Sequence, residues 1–333
     1  MEYQFKPAWW MTNRHVQTIL PRAYRLRQRT PVDLEEIATP DGDFIELAWA
    51  TPATPEAPLV IVLHGLEGNI DSFYARGMMQ AVRNHGFDAV LMHFRNCSTH
   101  PNRMPRAYHS GETEDIGFLV KTLQARFPNR ALYAVGFSLG GNVLAKYLGE
   151  QGSDCVLKGA SVVSAPFDLS TSCQVIRRSC FKLYQKYLLD KLKKSTARKL
   201  PQIQSQLQLN ESALMAIDDL WLFDEAVTAP LHGFEGAEDY YEKASGQPYL
   251  QHIAIPTLVI HAEDDPMLST EAVPKAEQVS ASVMLAVSKQ GGHVGFLSGK
   301  NPFKPIFWLE QAVPHFFSQL QQGRRHDHPV SAA

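Results

Sequence analysis

Apolar residues in this chain fall into short runs with few interruptions, separated by longer stretches in which they recur every three or four positions. The runs at 44–50, 59–64, 89–94, 131–137, 159–164 and 257–261 are rich in β-branched residues, and 283–287 continues the series. Consecutive apolar positions over that length predict strands buried on both faces. Between several of them the period changes. In 115–127, Ile116, Leu119, Val120 and Leu123 share one face of a helix. Strands alternating with amphipathic helices predict an α/β protein, its mostly parallel sheet covered on both sides and its ligands gathered at the carboxyl ends of the strands.

The alternation stops after Ala165. From 166 to 250 no strand pattern is evident, but helical patterns run around 173–192 and 211–223. Such a length is too long for a connection and too patterned for a linker, so a helical insertion over the ligand-binding edge of the sheet is expected. The division expected is a first part of the core at 1–165, a helical cap at 166–250, a second part of the core at 251–322, and a polar, frayed tail at 323–333.

Composition narrows the picture. With 333 residues the chain can bury a large core, and a formal net charge of −2 gives no reason to expect nucleic acid or another polyanion as partner. No apolar run is long enough to span a membrane, and the opening "MEYQFKPAWWMTNRHVQTIL" lacks the pattern of a signal peptide. Cys97, Cys155, Cys173 and Cys180 form neither a C-x-x-C pair nor a disulfide framework, which fits a reducing cytoplasm. Among the histidines, neither His15 nor the His326/His328 pair has the supporting ligands of a metal site, so no metal is expected.

The candidate chemistry starts at "LYAVGFSLGGNVLAKYL", where Gly136 and Gly140 flank Ser138 at two residues on each side. A buried strand precedes the serine, and Val143, Leu144, Tyr147 and Leu148 mark a helix after it. Glycines with no Cβ permit a turn too tight for other residues, as in a nucleophile elbow. A serine hydroxyl needs a base, and the base needs an orienting acid. His293 follows the last strand behind Gly291 and Gly292, and is the expected base. The acid belongs between serine and histidine, where "PTLVIHAEDDPM" ends a strand in Glu263, Asp264 and Asp265. Along an extended segment only one of Asp264 and Asp265 can face the histidine. Asp265 precedes Pro266 and reads as the start of the departing turn, so Asp264 is the expected acid. Backbone donors for an oxyanion are expected from Leu139, directly after the serine, and from Leu66 in "VIVLHGLEGN".

With these features in order, the chain resembles the α/β-hydrolase superfamily over nearly its whole length. Five stretches resemble one branch, the YheT-like or AB-hydrolase-4 family: "NRHVQTI" (13–19), "HGLEG" (64–68), "FRNCS" (94–98), "GFSLGGN" (136–142) and "DDP" (264–266). The resemblance implies an α/β-hydrolase fold, a cytoplasmic or peripheral hydrolase of carboxylic esters, and Asp264 at the family's usual acid position. Relatives act on acylglycerols and phospholipids or transfer acyl groups to alcohols. Where the family commonly has Arg-Gly-Cys, this chain has Arg95, Asn96 and Cys97, a departure that bears on any substrate preference carried by that loop.

The sequence therefore predicts a serine hydrolase of small or medium acyl esters that needs no cofactor. Alternatives are an acyltransferase using the same serine and a binding module without catalysis. Nine Lys and Arg residues between 177 and 199, against the single acid Asp190, predict a solvated basic face on the cap. Weak contact with anionic lipid, or attraction of acidic substrates, is the alternative use of that face. Oligomeric state is not legible.

Overall fold

The computed structural model describes residues 3–25, 30–51, 54, 56–178 and 182–323. Eight strands form one sheet: β1 (Val32–Ala38), β2 (Phe44–Ala50), β3 (Leu59–Leu63), β4 (Asp88–Met92), β5 (Leu132–Phe137), β6 (Gly159–Val163), β7 (Thr257–Ala262) and β8 (Val283–Ser288). Their spatial order is β1-β2-β4-β3-β5-β6-β7-β8. From β4 to β8 the strands run parallel, and β1 and β2 add an antiparallel edge.

Helices α1 (Arg14–Tyr24), α2 (Phe73–Asn84), α3 (Glu114–Arg126) and α4 (Leu139–Gln151) precede a run of six between β6 and β7. These six are α5 (Leu169–Arg178), α6 (Leu183–Leu207), α7 (Glu211–Ala216), α8 (Leu220–Phe223), α9 (Ala229–His232) and α10 (Ala237–Ala244), and α11 (Leu309–Gln321) follows β8. Side chains alternate across the sheet and build a core on each face. On β3, Leu59, Ile61 and Leu63 join the core under α3 and α4, whereas Val60 and Val62 join the core under α2 and α11. Helices α5 to α10 enclose a third cluster, with Leu188, Leu189, Phe223, Val227, Tyr240 and Tyr241 buried in it.

Two details depart from the sequence pattern. Strand β1, VDLEEIA, escapes a reading by apolar runs because Asp33, Glu35 and Glu36 interrupt it, with Asp33, Leu34 and Glu36 exposed; it is an edge strand held by its ladder to β2, from Val32–Ala50 to Ala38–Phe44. The helical pattern expected around 173–192 is two helices. Helix α5 ends at Arg178, and α6 starts after Lys182, whose φ of 53° is left-handed. Cys180 and the tail residues His326 and His328 lie outside the described residues.

Candidate active site

Ser138 lies between β5 and α4, at φ 52° and ψ −123°, a backbone conformation that a residue with a Cβ rarely adopts. The flanking glycines explain how the turn can close. A Cβ on Gly136 would collide with the Gly140 carbonyl, and one on Gly140 would collide with the His64 carbonyl at the end of β3. Gly65 is equally close to the serine: its Cβ would stand 3.2 Å from that of Ser138. The turn thus presses the hydroxyl against the loop after β3, at the carboxyl edge of the sheet, and leaves it partly exposed.

That loop is pinned by two phenols. The Gly65 N–H donates to Tyr74 Oη at 2.8 Å, and the Glu67 N–H donates to Tyr108 Oη at 2.7 Å. The Leu66 amide lies between these two fixed peptides. Leu139 opens α4, so its N–H is one of the four at a helix start that have no acceptor within the helix.

His293 follows β8 on a loop that Gly291 and Gly292 bring close to the rest of the site. Its Nε2 is 2.9 Å from Ser138 Oγ, and its Nδ1 is 2.8 Å from Asp265 Oδ2. The expected partner, Asp264, is not the carboxylate the structure brings to the histidine. Strand β7 ends at Ala262, and the Asp265 N–H donates back to the Ala262 carbonyl at 3.2 Å. The chain is therefore already turning at 263–264, and the alternation of an extended strand no longer applies. Asp265 is 3% exposed, and its Oδ1 accepts from the Met267 N–H at 2.9 Å, which aims Oδ2 at the imidazole. Asp264 instead accepts from the Gly292 N–H at 2.9 Å; burial raises its carboxyl above the usual range, against the pull of the Gly292 and Gly291 amides. Glu263 is exposed.

Sequence reasoning assigned no role to the N-R-H-V-Q-T stretch. In the structure it forms α1, which clasps the histidine loop. Thr18 Oγ1 accepts from the His293 N–H at 2.9 Å. Gln17, fully buried, donates to the Met11 and Leu297 carbonyls at 2.9 and 3.0 Å, and its Oε1 accepts from the Leu297 N–H at 2.8 Å. A Cβ on Gly295 would collide with the Gln17 carbonyl, so the loop glycines serve this docking as well. The only sequence signal was the motif itself: a buried-to-be glutamine in a polar helix has no distinctive period.

Two more motifs are structural. Asn142 anchors α4 to the helical segment: Nδ2 donates to the Ser110 and Ala244 carbonyls, and Oδ1 accepts from the Gly246 N–H, each at 2.8 Å. Asn96 has φ 70°, the left-handed conformation that glycine or asparagine tolerates best, so the departure from Arg-Gly-Cys keeps the same turn. Arg95 is buried among Asp41, Asp43 and Asp115. Among the described residues, no cluster of His, Cys, Asp or Glu is arranged to hold a metal, and no helix is long and apolar enough to cross a membrane. Cys97, Cys155 and Cys173 are free.

Comparison with known proteins agrees with this architecture. A family model described as the alpha/beta hydrolase fold matches residues 58–300. The chain is 41% identical over 323 residues to "Putative esterase YheT" of Escherichia coli, covering 96% of this chain and 95% of that one. It is 30% identical to a monoacylglycerol lipase of Saccharomyces cerevisiae, covering 73% of this chain and 56% of that one. Among solved structures, the Pyrococcus furiosus esterase Pf2001 superposes with a TM-score of 0.55 at 16% identity, covering 87% of this chain and 93% of that one. A mostly parallel sheet with a strained serine after its fifth strand, and this extent of shared sequence, lead to one assignment: the chain belongs to the α/β-hydrolase fold family, in the branch that includes YheT.

Proposed function

We propose that the protein hydrolyses carboxylic esters through an acyl-enzyme on Ser138. The observation that carries this reading is the continuous relay from Asp265 Oδ2 to His293 Nδ1 at 2.8 Å and from His293 Nε2 to Ser138 Oγ at 2.9 Å. His293 takes the hydroxyl proton at Nε2 as Oγ attacks the ester carbonyl carbon. Asp265 holds the proton on Nδ1 and stabilises the imidazolium that forms. The oxyanion meets the amides of Leu66 and Leu139, which need no reorganisation because both peptides are fixed by the loop and the helix start. Collapse of the tetrahedral intermediate expels the alcohol, which takes the proton from Nε2. A water then loses its proton to His293, attacks the acyl group and releases the acid, restoring Ser138.

The substrates are small or medium acyl esters, acylglycerols included, which enter beneath the helices α5 to α10 acting as a cap. Relatives named as an esterase and a monoacylglycerol lipase support that class. Cys97, Cys155 and Cys173, the free cysteines among the described residues, support a reducing compartment, the cytoplasm. The test is labelling of the intact protein with a fluorophosphonate, followed by turnover of acyl esters of graded chain length with and without an added alcohol. Labelling at Ser138 with release of free acid is expected. Absence of labelling would refute the serine mechanism, and transfer to the alcohol in preference to water would make the protein an acyltransferase.

A further inference from the structure

Helix α6 and its neighbours sort their cations. Arg177 pairs with Asp219 at 2.7 Å and Lys186 with Asp190 at 3.1 Å. Lys193 donates to the Met215 and Ile217 carbonyls, and Lys199 is buried between Asn96 Oδ1 and the Asn102 carbonyl. Lys191, Lys194 and Arg198 are different. Their spacing of three and four puts them on one stripe of the helix. That stripe walls a cleft of about 560 Å³, whose other wall is the loop from Glu67 to Asn69 together with Asn96 to Ser98. Among the described residues, none of the three pairs with a carboxylate. Lys191 instead donates to the Glu67 carbonyl at 3.2 Å and Arg198 to the Asn96 carbonyl at 3.0 Å, so two of the cations are held in place by backbone.

One carboxyl belongs to this wall. Glu67 Oε1 accepts from Tyr108 Oη at 3.0 Å. Its carboxyl is pushed up to about 7 by burial, against hydrogen bonds from Tyr108 and Ser195 and the nearby charges of Lys191 and Arg198. Cys97, its thiol raised by burial, lines the same cleft; Lys191 also lies over the Tyr187 ring at 5.0 Å, and His64, lowered by burial, is within its electrostatic reach.

We propose that this cleft is an anion subsite of the active centre, taking a phosphate monoester group carried by the ester substrate. Three cations without acidic partners match the oxygens of a phosphate, and Asn69, Ser98 and Ser195 add neutral hydrogen-bonding groups. The wall starts at Glu67, the residue after Leu66, and on that adjacency we place the bound anion on the same ligand as an ester held against Ser138. A phosphate nearby favours the neutral form of Glu67, so the carboxyl takes up a proton as the anion binds. The substrate part of this inference rests on the ester-hydrolase reading; the binding of the anion does not.

The experiment compares a 1-acylglycerol with the 1-acylglycerol 3-phosphate of the same chain length. The wild-type protein should give a higher kcat/KM for the phosphate ester. Lys194→Ala and Arg198→Ala should each lower the phosphate-to-neutral ratio about tenfold, the scale of one charge-assisted hydrogen bond. Lys186→Ala, on the outer face with Asp190, should leave the ratio unchanged. By calorimetry, glycerol 3-phosphate should bind the wild type, bind the Lys194→Ala/Arg198→Ala protein far more weakly, and bind Glu67→Gln more tightly at pH 8. A wild-type ratio of one or less, or the same ratio in the single variants, overturns the proposal. Inorganic phosphate that speeds neutral-ester turnover without competing with the phosphate ester would make the cleft an effector site and likewise overturn it. If neither ester is hydrolysed while glycerol 3-phosphate binding still depends on Lys194 and Arg198, the subsite stands and the ester-hydrolase reading fails.

Discussion

Ser138 holds a left-handed backbone that its own Cβ disfavours. Such a conformation costs about 1–3 kcal/mol, and glycine would relieve it at an entropic cost of about 0.5–1 kcal/mol. Ser138→Gly should therefore abolish ester turnover and raise stability by about 1 kcal/mol, read as a shift in the urea midpoint. A loss of stability would mean that the elbow carries no strain. The two aspartates separate in the same way. Asp265→Asn leaves one oxygen, claimed by the Met267 N–H, and sets an NH2 donor against His293 Nδ1, which favours the wrong tautomer and should lower kcat by at least about a hundredfold. Asp264→Asn keeps an acceptor for the Gly292 N–H and should lower it less than about tenfold. Equal losses would contradict the assignment. Serine and histidine were legible because glycines mark the places where backbones must meet. The acid was not, because adjacent aspartates differ only in how the strand ends, and that is decided by the hydrogen bond from the Asp265 N–H to Ala262.

At the scale of elements, α1 matters more than its composition suggests. Thr18→Val keeps the shape and removes the acceptor for the His293 N–H, so kcat should fall about tenfold with little change in KM or in the melting temperature. Gln17→Leu removes three hydrogen bonds at a site with no water access and should destabilise the fold by about 2–4 kcal/mol in urea melts. A neutral result there would show that the helix docks without its glutamine. The central strands were readable from apolar runs with few interruptions. Strand β1 was not, since an edge strand with acids facing solvent carries no such run. The break between α5 and α6 was also hidden, because Leu, Tyr and Lys continue in helical spacing across a point where the backbone leaves the helix.

At the scale of the whole molecule, buried titratable groups set the pH range of stability. Burial pushes His64 and His109 down to about 3 and His232 and His261 to about 4. Below 6.5 the unfolded chain binds protons at these histidines and the folded chain does not, so stability is lost as pH falls. Asp224, Glu67 and Glu112 act in the opposite sense. Burial raises them to about 6, about 7 and about 8, so the folded state keeps protons that the unfolded state has released, and their contribution is lost as pH rises through those values. Stability should peak at a pH of about 6.5, with each histidine contributing a slope of up to about 1.4 kcal/mol per pH unit on the acid side. Urea melts at pH 5, 6.5 and 8 measure this, and Glu112→Gln should flatten the decline above the peak more than Glu67→Gln does. A continuous rise in stability from pH 5 to 8 would show that the carboxyls are not held neutral. The sheet and its order of chemistry were legible at this scale because alternation of periods specifies the fold class, whereas the sorting of cations along α6 depends on packing that no period records.

The bond from the His293 N–H to Thr18 joins residues 275 positions apart. During synthesis the first of these leaves the ribosome long before the second. A growing chain can shape β1 to β7 and expose Ser138 while still lacking the loop that α1 is built to receive. On the proposed mechanism the hydroxyl then has no base, and the nascent protein is chemically silent however well its centre has folded. Activity switches on as a late event, when a segment made late meets one made early, so its appearance in a translation reaction times the docking of α1 on the histidine loop rather than the formation of the core.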